Sequence, residues 1–374
     1  MPSIPDRERI AFLEKVFLKP HQAGTPLRGV ELFNLQLLRE LDGLGYDILF
    51  PVESSWADVV GAELKGASSI RIRSVGFGSV PLFCGLLAAR AIAGEARRGG
   101  TFPTLLLGNV ANGLIPALAY LRMAESFRAL VLVAHRETSQ RFLRAIRALP
   151  GHIVCVCKPI ENGFRGAVRA TTHTDYGVLN ADAFHPGEPK PDDSRPIRFC
   201  VLGALDNAWK GADTATEAFR LLPDEIRKCS ELHLAAYRTP PVFPDEPGII
   251  PHGWSPASTM PDFLRSMDVL LVPSRDEEVM RETFSQATVQ GMLTGLPVIH
   301  TSRPILVEKF DRGGGIRADT PAEFAAAMQN LAADSALRRS VGEAARRTAL
   351  ERYVWNTRRF AERYLKPAAR EDRP

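Results

Sequence analysis

The stretch that decides the fold runs from Asp268 to Thr301, DVLLVPSRDEEVMRETFSQATVQGMLTGLPVIHT. Val269–Val272 is a short aliphatic run suited to a fully buried strand. Pro273-Ser274 ends it, an acidic loop follows, and a helix is expected over Ser285–Thr294. Gly295-Leu296-Pro297 stops that helix, and Pro297–Thr301 reads as the next strand. A helix start that faces strand ends presents unpaired amides and the positive end of a dipole, so it can hold a diphosphate without a metal. Glu282 falls just before the helix. Gln290 lies eight residues later, about two turns on and on nearly the same face. Two polar side chains so placed can grip two parts of an elongated ligand.

Outward from this segment, strand and helix signals alternate. Toward the N-terminus lie strands Ile197–Gly203, Glu231–Ala236 and Gly248–His252, with helices Asp213–Leu222 and Ser258–Ser266; toward the C-terminus comes helix Pro321–Ala333. A proline- and charge-rich stretch, Pro186–Pro196, carries no apolar period and reads as a linker. Ahead of it a second alternation runs through Ile10–Phe17, a helix over Val30–Leu44, Tyr46–Val52, Thr104–Leu107, Leu130–Ala134 and His152–Cys157. Alternation of this kind is the signature of parallel sheets with helices on their faces. Two such sheets in tandem place a ligand cleft beyond the carboxyl ends of their strands. The expected division is residues 1–185 for the first domain, 186–196 for the linker, 197–350 for the ligand-binding domain, and 351–374 for a last helix and basic tail.

The 374 residues, 45% hydrophobic and 24% charged, fit two globular domains, and a net charge of +4 is too small to argue for a particular partner. Five scattered cysteines exclude a disulfide scaffold; Cys155 and Cys157 share one face of a strand and read as packing residues. Neither a signal-type apolar segment nor a run of spanning length is visible, so a cytoplasmic location is expected. Basic residues are interspersed with acidic ones and do not interleave with aromatics, which argues against nucleic acid. Around the apolar helix Val80–Ala93, Arg71, Arg73, Arg90, Arg97 and Arg98 raise peripheral contact with the inner membrane face; burial against the sheet is the favoured reading. Gly313-Gly314-Gly315 reads as a mobile turn.

A second informative segment is Phe199–Gly211, FCVLGALDNAWKG, where a strand ends at Gly203 and Lys210-Gly211 precedes a helix. A lysine there can set a compact charge over a phosphate. Together these residues resemble glycosyltransferase family 4. The matching positions are Gly203, Lys210-Gly211, Pro273-Ser274, Glu282-x-Phe284-Ser285, Gln290-Gly291-Met292 and Gly295-Leu296-Pro297-Val298. Weaker likeness extends to Arg28-Gly29-Val30-Glu31, Gly45-Tyr46, Tyr176-Gly177-Val178…Phe184 and Tyr353-Val354-Trp355.

The resemblance implies a GT-B fold of two Rossmann-like parallel-sheet domains facing each other across a cleft, with a C-terminal helix crossing back to the first. It implies a retaining, metal-independent enzyme without a cofactor, moving sugar from a nucleotide-diphosphate donor to a hydroxyl acceptor (glycan, lipid-linked glycan or small molecule). It places Lys210 on the donor diphosphate, Glu282 by the sugar, Gln290 at the ribose, and Thr283, Phe284, Ser285 and Gln286 around the phosphates and sugar hydroxyls. Gly203 adjoins the phosphates, Gly253-Trp254 occupies the base-binding loop, Arg28-Gly29 the phosphate-side loop of the first domain, and His135 lies near the reacting sugar. Three departures stand out. Ala204 replaces a diphosphate-binding arginine, Gln290 a second glutamate, and Arg28 a glycine. Arg238, Arg275 and Arg303 are candidates to restore the charge. The rival readings are another GT-B sugar enzyme, an epimerase or phosphorylase, and a non-catalytic nucleotide- or glycan-binding relative.

Overall fold

Thirteen strands, paired only in parallel, make two sheets in a computed structural model that describes residues 8–22, 27, 29–76, 81–188, 195–236, 246–253, 257–275 and 282–366. The first sheet contains β1 (Arg9–Leu13), β2 (Asp47–Glu53), β3 (Ile70–Val75), β4 (Phe102–Leu107), β5 (Phe127–Ala134), β6 (Gly151–Cys155) and β7 (Thr171–Thr174). Their order across the sheet is β3-β2-β1-β4-β5-β6-β7. The second sheet contains β8 (Ile197–Gly203), β9 (Ser230–Ala236), β10 (Ile249–His252), β11 (Val269–Val272), β12 (Val298–His300) and β13 (Gly315–Arg317), in the order β10-β9-β8-β11-β12-β13. The central strands are buried on both faces, which is why they read as unbroken apolar runs.

The chain forms two compact units, Met1–Leu179 with Asn356–Pro374, and Asn180–Trp355. The change of unit at Leu179–Asn180 precedes the Pro186–Pro196 stretch. Within the first unit the returning C-terminal segment is pinned by polar bonds. Tyr364 Oη donates to Asp175 at 2.9 Å, Arg359 pairs with the other oxygen of that carboxylate at 2.8 Å, and Thr357 reaches Glu40. The crossing back of the last helical segment is thus present. In the second unit Arg195 forks onto Asp268 beside the start of β8 and β11, and Phe199, Leu234, Leu271, Phe219 and Phe324 centre the core.

Several local expectations change. The strand expected over Ile10–Phe17 stops at Leu13, because the Glu14 carboxylate turns back to the Val16 N–H and starts a tight turn over Lys15–Leu18. β3, β7 and β13 are additional. Gly313 and Gly314 form a packed turn, where a mobile one was expected: both have positive φ, and a Cβ on Gly314 would lie 2.3 Å from the Ala345 backbone. The apolar helix spans Pro81–Gly99 and buries Cys84, Ala88, Ala89, Ile92 and Ala93. Arg71 is engaged by Asp47 and Glu95 at 3.0 and 2.6 Å. Among the described residues no helix is long and apolar enough to cross a membrane.

Candidate functional site

The strand order of the second unit reverses direction between β8 and β11, and ligands of open parallel sheets bind beyond the carboxyl ends at such a point. β8 ends at Gly203, whose φ of +146° suits glycine, and a Cβ there would crowd the Lys210 side chain at 3.2 Å. The loop then closes as a short turn over Ala208–Lys210, and Gly211 takes a left-handed φ of +71° to start helix Ala212–Arg220. A Cβ on Gly211 would stand 2.0 Å from the Pro273 carbonyl oxygen, so only glycine lets this loop lie against the end of β11. The Arg275 N–H donates to the Trp209 carbonyl at 2.7 Å and ties the two loops together.

That packing brings the two sequence-predicted polar residues into contact. Lys210 Nζ lies 2.6 Å from Glu282 Oε2, with both side chains largely buried, and the ammonium also sits 4.3 Å above the Trp209 ring. Below them is a recess lined by Gly-loop, strand-end and helix-start residues, among them Lys210, Pro273, Ser274, Ser285 and Thr288. Helix Gln286–Leu293 begins here. Its N-cap, Ser285, is left-handed at φ 58°, an uncommon state for a side-chain-bearing residue; its hydroxyl bonds that of Thr288 at 2.6 Å. Strained backbone of this sort concentrates at ligand sites.

Phe284 anchors the loop from behind. The fully buried Lys309 ammonium is stacked 4.3 Å from the Phe284 ring and 4.7 Å from that of Tyr353. Thr283 and Gln286 flank this anchor and are half-buried. Gln290 lies about one turn along the helix, and its Oε1 is buried with no hydrogen-bond partner among the described residues. Gly253 follows β10 and is exposed. Trp254, Arg28 and Arg238 lie outside the described residues, while Gly29 opens helix Gly29–Gly43. Of the other candidate arginines, Arg275 pairs with Asp213 at 2.6 Å and with the Ala208 carbonyl, and Arg303 stands at the N-cap of helix Pro304–Lys309.

His135 belongs to the first unit, directly after β5. It is buried edge-on between Phe33 and Tyr176, its Nε2 lacks a partner among the described residues, and burial pushes its pKa down to about 3. The ring is therefore neutral at physiological pH. Near it in the same unit, Glu14 was missed by sequence reasoning; burial pushes its carboxyl up to about 7. The available signal was a lone acid inside the apolar run FLEKVFL. Lys309 was missed because it follows Glu308 and precedes Asp311-Arg312 in a stretch that reads as exposed. Cys155 and Cys157 are buried, and burial pushes the Cys155 thiol up to about 12. No cluster of three metal-ligating side chains is found among the described residues.

Residues 196–334 match the family model described as glycosyl transferases group 1, so the second unit carries a group 1 glycosyltransferase domain. The two parallel-sheet α/β units are those of GT-B glycosyltransferase structures. The chain is similar to the sucrose-phosphate synthase of Thermosynechococcus elongatus, with a TM-score of 0.70 at 15% identity over 95% of this chain and 98% of that one. It is also similar to a glycosyltransferase from Rickettsia africae ESF-5, with a TM-score of 0.69 at 13% identity over 96% and 97% of the two chains. A third similar structure is Anabaena HepE in complex with UDP and glucose, with a TM-score of 0.64 at 14% identity over 93% and 96%. No curated relative matches by sequence.

Proposed function

We propose that this protein transfers a sugar from a nucleoside-diphosphate donor to a hydroxyl acceptor, with retention at the anomeric carbon and without a metal. The observation that carries the reading is the Lys210–Glu282 pair beside the start of helix Gln286–Leu293, at the carboxyl ends of β8 and β11. The diphosphate gains negative charge as it leaves. A lysine and a set of helix-end amides fixed in advance stabilise that charge in the transition state. HepE, solved with UDP and glucose, is a similar structure whose ligands are of this class.

In this scheme the donor diphosphate takes the place of the Glu282 carboxylate on Lys210, and Glu282 turns to the sugar hydroxyls. It acts as a holder of the sugar and not as an attacking nucleophile. Gln290, with its unpaired Oε1, accepts from a ribose hydroxyl. Bond formation and departure on the same face of the sugar account for retention. Ala204 leaves Lys210 and the helix amides to carry the charge that an arginine would share.

The test is product analysis with a panel of labelled nucleotide sugars and hydroxyl acceptors in the presence of EDTA. Transfer with the anomeric configuration kept is the expected result. Inversion, a metal requirement, an epimer or a sugar 1-phosphate as product each contradict part or all of the reading. Tight nucleotide binding with neither transfer nor donor hydrolysis would make the protein a non-catalytic relative.

A further inference from the structure

Two residues beyond Glu282, Phe284 leads into Ser285, whose left-handed backbone opens helix Gln286–Leu293. A residue with a side chain keeps that conformation where its surroundings impose it. On the helix side the turn is held by its own bonds: the Ser285 hydroxyl meets that of Thr288 at 2.6 Å, and the Val289 N–H donates to the Ser285 carbonyl at 3.3 Å. On the other side Phe284, 5% exposed, joins the turn to the rest of the unit. What Phe284 rests on is a cation. Lys309, 1% exposed, ends helix Pro304–Lys309 and sets its ammonium 4.3 Å from the centroid of the Phe284 ring and 4.7 Å from that of Tyr353. The two rings stand 6.0 Å apart at 72°, so one charge lies over two nearly perpendicular rings. Attraction between a cation and an aromatic face grows when water is excluded, and it is directional. An aliphatic chain of equal length would fill the space without selecting one face of each ring.

The far side of this clamp belongs to a fixed frame. Arg352, beside Tyr353, pairs with Asp311 at 2.7 Å and donates to the Glu308 carbonyl at 3.4 Å, so the end of helix Ser335–Arg352 is tied to both flanks of Lys309. The Arg352 guanidinium also lies 5.3 Å from the Tyr353 ring. Phe310, directly after Lys309, stacks on His300 at the end of β12, with centroids 4.4 Å apart and planes at 19°. Two helix ends and a strand end therefore hold Lys309 and Tyr353, and Phe284 is where the segment from Glu282 to Ser285 meets them. Lys309 is not among the described residues that line the recess below Lys210 and Glu282. Its contact route to a ligand there runs through Phe284.

We propose that Lys309 is a positioning residue: its ammonium, held over Phe284 and Tyr353, fixes the turn from Glu282 to Ser285 in the geometry that presents Glu282 and the helix-start amides to a bound nucleotide sugar. The effect on sugar transfer rests on the proposed function; the fixing of the turn does not.

The experiment is hydrogen exchange read by mass spectrometry on the full chain, comparing wild type, Lys309→Met, Phe284→Leu and the double variant. Lys309→Met keeps the length and removes the charge; Phe284→Leu keeps the bulk and removes the ring. Exchange of the amides of residues 283–288 is expected to speed by about tenfold in each single variant, the effect of losing one desolvated cation–ring contact. It should speed no further in the double variant, because the two changes remove the same contact. Peptides from β8 and β11 should keep their wild-type rates. With a nucleotide sugar that the wild type turns over, kcat should fall by about tenfold in each variant, while affinity for the free nucleoside diphosphate, which Lys210 holds, changes by no more than about threefold. Wild-type exchange over residues 283–288 in Lys309→Met, losses that add in the double variant, or exchange raised equally throughout the unit would overturn the proposal, the last marking a merely structural residue. Should Lys309→Met fail to fold, Phe284→Leu decides alone, and wild-type exchange over those residues overturns it. Faster exchange with kcat unchanged would overturn the role in transfer. A wild type that transfers no sugar, beside the expected exchange pattern, would sink the transferase reading and leave the fixing of the turn standing.

Discussion

Lys210 and Glu282, 72 residues apart in sequence, meet through a 2.6 Å contact between Nζ and Oε2 at the switch point of the second sheet. Each is the other's charge partner, and the proposed function gives each a separate role toward a bound donor. Lys210→Met leaves a mostly buried carboxylate and Glu282→Gln a mostly buried ammonium. Each single substitution is expected to lower stability by about 1–2 kcal/mol, below the full range for buried pairs because both side chains keep some solvent contact. On binding, the two should separate. Glu282→Gln releases the ammonium and should tighten a nucleoside diphosphate several-fold, while Lys210→Met weakens it. A double-mutant cycle by calorimetry reads both effects; equal losses of affinity in the two singles would contradict this account of the pair.

The close approach of Gly211 to Pro273 gives a second expectation. Gly211→Ala places a methyl 2.0 Å from a carbonyl oxygen in a left-handed backbone, and the loop from Gly203 to Lys210 must move. A loss of about 2–4 kcal/mol in urea unfolding is expected, together with weaker nucleotide binding. Unchanged stability would show that the loop does not rest on the end of β11.

Gln290 separates ligand binding from folding. Its Oε1 is buried and unpaired among the described residues, so Gln290→Leu removes a polar atom that contributes little to the free protein. Stability should hold or rise, whereas nucleotide affinity should fall by about tenfold, the effect of one hydrogen bond. Isothermal titration of the variant beside its melting curve checks both. A large loss of stability with intact binding would make Gln290 a core residue only.

The buried acids and bases of the first unit set a pH dependence. Burial raises the Glu14 carboxyl from 4.5 to about 7, so between those values the folded state binds more protons than the unfolded one. Stability therefore falls as pH rises through that window, by roughly 3 kcal/mol at most. His135, lowered from 6.5 to about 3, acts in the opposite sense: the unfolded state takes the extra proton, and stability rises between pH 3 and 6.5. Comparing Glu14→Gln with wild type cancels the histidine contribution. The variant's advantage should be larger at pH 8 than at pH 4.5, and an advantage independent of pH would show that Glu14 does not titrate in this window.

The alternation of strands and helices was readable because the central strands are buried on both faces. Runs such as VLLV at 269–272 and the LVLVA of β5 leave no polar residue to obscure them. β3, β7 and β13 escaped notice for physical reasons: β3 is an edge strand with exposed arginines in IRIRSV, β7 is the polar TTHT, and β13 has three residues after a glycine turn. Strand order was not readable at all, since register across a parallel sheet leaves no local trace. Lys210-Gly211 and Glu282 each stood out by a place before a helix, and the family resemblance set both at one donor, but only the fold shows their direct contact. Glu14 lay hidden inside an apolar run and Lys309 among the charges of Glu308, Asp311 and Arg312, because a buried charge has no periodicity of its own.

The central claim is that the switch point of the second sheet holds a nucleoside diphosphate through Lys210 and the start of helix Gln286–Leu293. Its most direct measurement is the thermal shift of wild type and Lys210→Met against UDP-glucose, GDP-mannose, ADP-glucose and their free diphosphates, all with EDTA present. A ligand that binds the native state raises the unfolding midpoint by mass action. At least one of these nucleotides should do so for wild type, with the shift largely lost in the variant. No shift with any of them, or an equal shift in both proteins, would contradict the assignment.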